Sequence, residues 1–158
     1  MQHYRLIYRG TATEEVVSNE TLRGLESQAS SANARNDLSG LLILSGDSFL
    51  QALEGSAREL TEVFGKIIQD PRHHRVELIA FEPIPERRFS EWHLRLVDLH
   101  DVPGPERARL AGKHPHVDGS ILIPDEPNLA FDLLIDAGSV CRSKPWETTP
   151  IHGNLLSP

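Results

Sequence analysis

An α+β fold is predicted by three observations. Short alternating or continuous apolar runs at 3–9, 41–44, 49–53 and 76–81 read as strands. Two longer stretches, roughly 20–35 and 57–69, repeat apolar residues at helical spacing. Their order is β-α-β-β-α-β, the split-βαβ pattern of a ferredoxin-like sheet. A right-handed crossover then sets the third strand between the first and second, with both helices on one sheet face.

Each element has its own signal. In HYRLIYR, residues 3–9, Tyr4, Leu6 and Tyr8 share one face, and Arg5, Ile7 and Arg9 the other. Thr11 to Ser18 is a polar connection, and Ser18 or Asn19 offers an N-cap. Leu22, Leu25, Ala29 and Ala32 mark the first helix. LLIL (41–44) and FLQAL (49–53) flank the turn Ser45–Ser48 as a hairpin. Leu60, Val63, Phe64, Ile67 and Ile68 mark the second helix, which Pro71 stops. VELIAF (76–81) is the fourth strand, and alternation in WHLRLV (92–97) predicts a fifth, with Trp92 and Leu94 on one face. Beyond Val97 the signal weakens: 103–119 is rich in Pro, Gly, His and charge, SILIP (120–124) reads as a short strand and 128–137 as a helix. The last fifteen or so residues read as a tail. The expected division is a domain over 1–98 and an extension over 99–158, a cap or helix pair on the free sheet face.

Composition narrows the function classes. The chain has 158 residues and a formal net charge of -7 without a basic run, so nucleic acid is not an expected partner. No apolar run reaches the ~20 residues that cross a bilayer, and no signal peptide is apparent. A single cysteine, Cys141, suits a reducing compartment, and a cytoplasmic protein is expected. The histidines at 73, 74, 114 and 116 lack the spacing of a metal site. No nucleophile, base and orienting group can be assembled, so an enzyme is not expected.

One segment stands apart. In FLQALEG, alternation puts Gln51 between Phe49 and Leu53 on a face that should be buried. Tyr8 lies on the matching face of the neighbouring strand. Asn33, eleven residues after Leu22, extends the first helix's apolar stripe. A phenol and two carboxamides therefore converge between helices and sheet. An unpaired buried amide costs roughly 1–3 kcal/mol, so the three groups either bond to one another or meet a planar ligand with carbonyls and an N–H on its edge.

These residues resemble a known family. Tyr8 in LIYRG, Asn33 in NARNDLSGLLIL, Gln51 in FLQALEG, the segment Asp70-Pro71-Arg72-His73, and Arg88-Phe89-Ser90-Glu91-Trp92 are similar, in order from about residue 3 to 98, to the BLUF domains, blue-light sensors using flavin. The resemblance implies a noncovalent flavin between the two helices, FAD with FMN or riboflavin as alternatives. It implies Tyr8 as the light-responsive tyrosine, Gln51 as the relay between tyrosine and flavin, and Asn33 as the ligand of the ring's pyrimidine edge. Arg72 and His73 are implied near the ring, and Trp92 and Leu94 on the signalling route. Photoinduced electron and proton transfer from Tyr8 through Gln51 would then rearrange hydrogen bonds. The signal would pass by protein contact to a downstream partner, with room for a homo-oligomer. Leu94 stands where the family commonly has methionine, Ala32 where a polar or aromatic residue is frequent, and Gly10 where serine or threonine is frequent. The departures at Leu94 and Ala32 keep open a ferredoxin-like interaction module without photochemistry.

Overall fold

The computed structural model describes residues 1–13 and 19–143. Along them run β1 (His3–Ala12), α1 (Asn19–Arg35), β2 (Ser39–Ser45), β3 (Ser48–Gly55), α2 (Ala57–Gln69), β4 (His73–Ile84) and β5 (Arg95–Asp98). There follow α3 (Gly104–Lys113), a two-stranded ribbon of β6 (His116–Val117) and β7 (Ser120–Ile121), and α4 (Pro127–Ser143). The five-stranded sheet has the order β4-β1-β3-β2-β5. β3 thus lies between β1 and β2, as right-handed crossover requires. Neighbours among β1 to β4 are antiparallel, while β5 runs parallel to β2.

The hairpin closes through Gly46 and Asp47, and the positive φ it needs falls on Gly46 at +64°. Gly40 on β2 answers a different demand. A β-carbon there would sit 2.2 Å from the Ala52 carbonyl oxygen on β3, so any side chain forces the strands apart. Gly40→Ala is expected to cost about 3 kcal/mol, read as a lowered urea midpoint at unchanged slope.

Side-chain alternation splits the molecule into layers. Leu6, Tyr8, Phe49, Leu53 and Leu44 pack toward α1 and α2 with Leu22 and Leu60. Ile7, Leu41, Ile43, Leu50, Ala52 and Val97 pack the other way, against Leu110 of α3 and Ala130, Leu133, Leu134, Ala137 and Val140 of α4. Leu133 and Leu134 are wholly buried, each stabilising the α4 layer by about 2 kcal/mol.

Several expectations need correction. The fifth strand begins at Arg95, not Trp92. The Trp92 carbonyl accepts from Gly40 N (3.0 Å) and the His93 carbonyl from Asn33 Nδ2 (2.8 Å), so residues 92–94 bond to the α1–β2 junction. Trp92 and Leu94 consequently do not share a strand face. Residues 103–119, where the sequence signal weakens, carry α3, whose prolines 103 and 105 fall at its start, where a missing N–H is tolerated. Only Ser120–Ile121 of SILIP is strand, and the last helix extends to Ser143. His73 is the first residue of β4. The cap at Ser18 and the tail from 144 lie outside the described residues.

Candidate functional site

Between the sheet and α1/α2 lies a cavity of about 240 Å³. β1 and β3 supply its floor. Their register sets Tyr8 directly opposite Gln51, and the Tyr8 hydroxyl donates to Gln51 Oε1. Asn33 reaches the cavity from the last turns of α1, and its Nδ2 donates to the His93 carbonyl. Leu22, Leu25, Ala29 and Ala32 of α1, Val63 and Ile67 of α2, and Leu94 and Leu96 make the remaining walls largely apolar.

The polar atoms in these walls are incompletely satisfied. Among the described residues, Gln51 Nε2 and Asn33 Oδ1 have no protein partner, although both residues are buried, 6% and 4% exposed. His73 Nε2 is shut off from solvent and likewise unpaired. Buried polar groups are normally bonded, so the two open amide atoms on one apolar cavity match a flat, polar-edged occupant. The isoalloxazine of a flavin has that character: an extended ring with carbonyls and ring nitrogens along one edge. The side chains present fit the group. The volume lies below the roughly 300 Å³ where ligand pockets usually start, so it suits the ring rather than a whole dinucleotide.

Electrostatics keep the floor neutral. Burial, and secondarily the charge of Asp70, push the Tyr8 hydroxyl well above the ordinary phenol range. Its ring is packed by Phe49 (centroids 5.8 Å) and Phe64 (5.4 Å). At the rim Arg72 is exposed and grips Asp70 through Nε at 3.0 Å to both carboxylate oxygens. That hydrogen bonding holds the Asp70 carboxyl down at about 2. Asp70 received no role from sequence, although the Asp-x-Arg spacing needed for the clasp was there to be read. His73 stacks edge-on against Phe49 at 5.4 Å.

Burial pushes the His73 imidazole below its usual value, an effect only partly offset by Asp70. An unfolded chain therefore takes up that proton first as pH falls through about 6.5. Stability from this residue is complete above that pH and declines below it. We expect the urea midpoint of the wild type to fall more between pH 7.5 and 5.5 than that of His73→Gln.

Trp92 is not at the cavity. It packs on the opposite side with the α4 layer, under the Arg142 guanidinium at 5.0 Å. Leu94 faces the cavity instead. The departure at Gly10 has a steric basis, since the Phe49 ring lies 2.7 Å from where a β-carbon would stand.

A buried carboxylate that sequence reading overlooked supports this architecture from behind. Glu54, the acid of FLQALEG, is fully enclosed. It accepts from Arg5 Nε (2.9 Å) and from the backbone N–H groups of Arg88 and Phe89 (2.9 Å each). Parity could have revealed it, because Glu54 shares a face with Leu50 and Ala52.

Comparison with known proteins gives a consistent picture. Residues 3–95 match a family model described as sensors of blue-light using FAD. The chain is 34% identical over 97 residues to the blue light- and temperature-regulated antirepressor BluF of Escherichia coli, covering 60% of this chain and 23% of that protein. It is 36% identical over 92 residues to a photoactivated adenylate cyclase subunit alpha of Euglena gracilis, covering 58% and 9% respectively. The chain thus spans less than a quarter of these relatives. Among solved structures, BlsA in its ground state superposes with a TM-score of 0.70 at 24% identity, covering 84% of this chain and 87% of that one, a likeness of fold. A Klebsiella pneumoniae BlrP1 structure with FMN and cyclic diGMP gives 0.60 at 31% identity, covering 65% and 27%.

Proposed function

We propose, from the premise that this chain belongs to the BLUF family of blue-light sensors using FAD, that Tyr8, Gln51 and Asn33 are its photoactive and flavin-binding set. The observation that carries the reading is the Tyr8–Gln51 hydrogen bond on the floor of an apolar cavity where Gln51 Nε2 and Asn33 Oδ1 have no protein partner among the described residues. When bound, FAD supplies a ring that becomes a strong oxidant on absorbing blue light. Asn33, Gln51 and His73 are the residues to hold its polar edge, with Arg72 at the rim.

Tyr8 is the electron and proton donor. Its phenol is neutral, buried and already directed at Gln51, so no solvent has to reorganise before the proton leaves Oη. Gln51 is the relay, because a carboxamide both accepts and donates. Once its orientation or tautomer changes, the group it presents to the cavity changes with it. That rearrangement is the signal: a local exchange of hydrogen bonds that biases a larger element.

The element best placed to respond is α4. His93, whose carbonyl Asn33 holds, follows Glu91 and Trp92 in the chain. Arg142 of α4 binds Glu91 (Nε–Oε2 2.5 Å), donates to the Arg88 carbonyl (2.8 Å) and covers Trp92. His93 is therefore two residues from a charged clasp on the far layer, where a protein partner would read a change at the cavity. In this role the chain is a sensor rather than a catalyst. Purified protein is expected to be yellow and to show a small, reversible red shift under blue light. A colourless protein that ignores added FAD, FMN and riboflavin would refute the reading.

A further inference from the structure

The cavity has one wall that the sheet does not hold by itself. α1 lies over it, and polar side chains of α1 tie it to β5 and the segment leading into that strand. One is Asn33, through the His93 carbonyl at 2.8 Å. Another is Glu26, whose Oε2 accepts the Leu96 backbone N–H at 2.7 Å.

The geometry of this pair is specific. Positions 26 and 33 are seven residues apart, two helical turns and roughly 10.5 Å on one side of α1. Their partners, the His93 carbonyl and the Leu96 N–H, lie at the entry to β5 and within it. The contacts run in opposite order, 26 to 96 and 33 to 93, so α1 and this segment lie alongside each other, antiparallel, and are pinned at two points. Leu96 is also the right residue for the task. β5 is the sheet's edge, and the Leu99 N–H turns inward to the Leu44 carbonyl at 2.8 Å. By strand alternation the Leu96 N–H turns outward, where an edge donor is otherwise left to water or to another strand. A carboxylate is a strong acceptor for it.

Ala29, Ala32 and Asn33 of α1 face Leu94 and Leu96 across the cavity that both elements line. Glu26 itself does not line it. We propose that Glu26 is a positioning residue that keeps α1 closed against β5 and thereby sets how long the cavity retains flavin. Asn33 alone cannot fix that wall: it is one point, and α1 can pivot about it. The proposal rests on the flavin-binding reading above, and it assigns to Glu26 a part distinct from contact with the ring.

The test uses the full chain, loaded with FAD, in wild type, Glu26→Ala and Glu26→Gln. Flavin release is followed by the fluorescence of freed FAD, and exchange of the Leu96 amide hydrogen by mass spectrometry or NMR. Glu26→Ala is expected to release FAD roughly tenfold faster, the scale of one charge-assisted hydrogen bond, and to exchange Leu96 faster. Glu26→Gln keeps an acceptor oxygen and should recover most of both. Faster Leu96 exchange with unchanged FAD release would make Glu26 an edge cap only and overturn the proposal. Unchanged Leu96 exchange in Glu26→Ala would overturn it by removing the tether. A wild type that binds no flavin would instead sink the functional reading, and this inference with it.

Discussion

Replacing Tyr8 by phenylalanine will leave a yellow protein whose absorption no longer moves in blue light. The substitution removes one hydroxyl and little else. The ring that packs between Phe49 and Phe64 remains, so the cavity floor keeps its shape and its flavin. The lost buried hydrogen bond costs about 1 kcal/mol of stability, too little to unfold the chain. What disappears is the donor: phenylalanine has no proton to pass to Gln51 Oε1 and is far harder to oxidise. The same reasoning predicts a red shift in the wild type insensitive to pH near the ordinary phenol value of ~10, because burial holds the Tyr8 hydroxyl protonated beyond it. A light-induced shift of wild-type size in Tyr8→Phe, measured with flavin bound, would remove Tyr8 from the mechanism.

The largest effect on stability is expected at Glu54. Truncation to alanine strands the Arg5 guanidinium, which is only 6% exposed, and unpairs two backbone N–H groups of the 88–89 segment. Removing one partner of a buried ion pair costs about 3–5 kcal/mol, a large share of the 5–15 kcal/mol that holds a typical domain together. We expect Glu54→Ala to lower the urea midpoint steeply or to be recovered only as aggregate. Glu54→Gln keeps the shape and one acceptor, so it should lose less. A near-native midpoint for the alanine variant would mean that the Arg5 side chain turns out to solvent, leaving the Phe131 ring it now covers at 4.6 Å.

The parts of this molecule that were legible in sequence are those written in regular periods. Tyr8 and Gln51 could be paired because two adjacent strands alternate cleanly, and Asn33 because three helical turns separate it from Leu22. The start of β5 was not legible. WHLRLV alternates throughout, yet residues 92–94 take their hydrogen bonds from Asn33 and Gly40, partners that periodicity cannot name. α3 was missed because its buried side rests on Glu106 and Leu110 within a stretch rich in proline and charge. Glu54 was missed because a carboxylate at a strand end reads as solvated until the arginine across the sheet is placed beside it. In each case the hidden information is a long-range partner.

The sheet is a single backbone thick, and its strands answer to two different neighbours. On β3, odd positions address the cavity and even positions address α4. Each strand is therefore written in two interleaved texts, and mutations can revise one while leaving the other intact. A lineage could refit the rear of the molecule to a new listener, residue by residue, without disturbing its light-absorbing front.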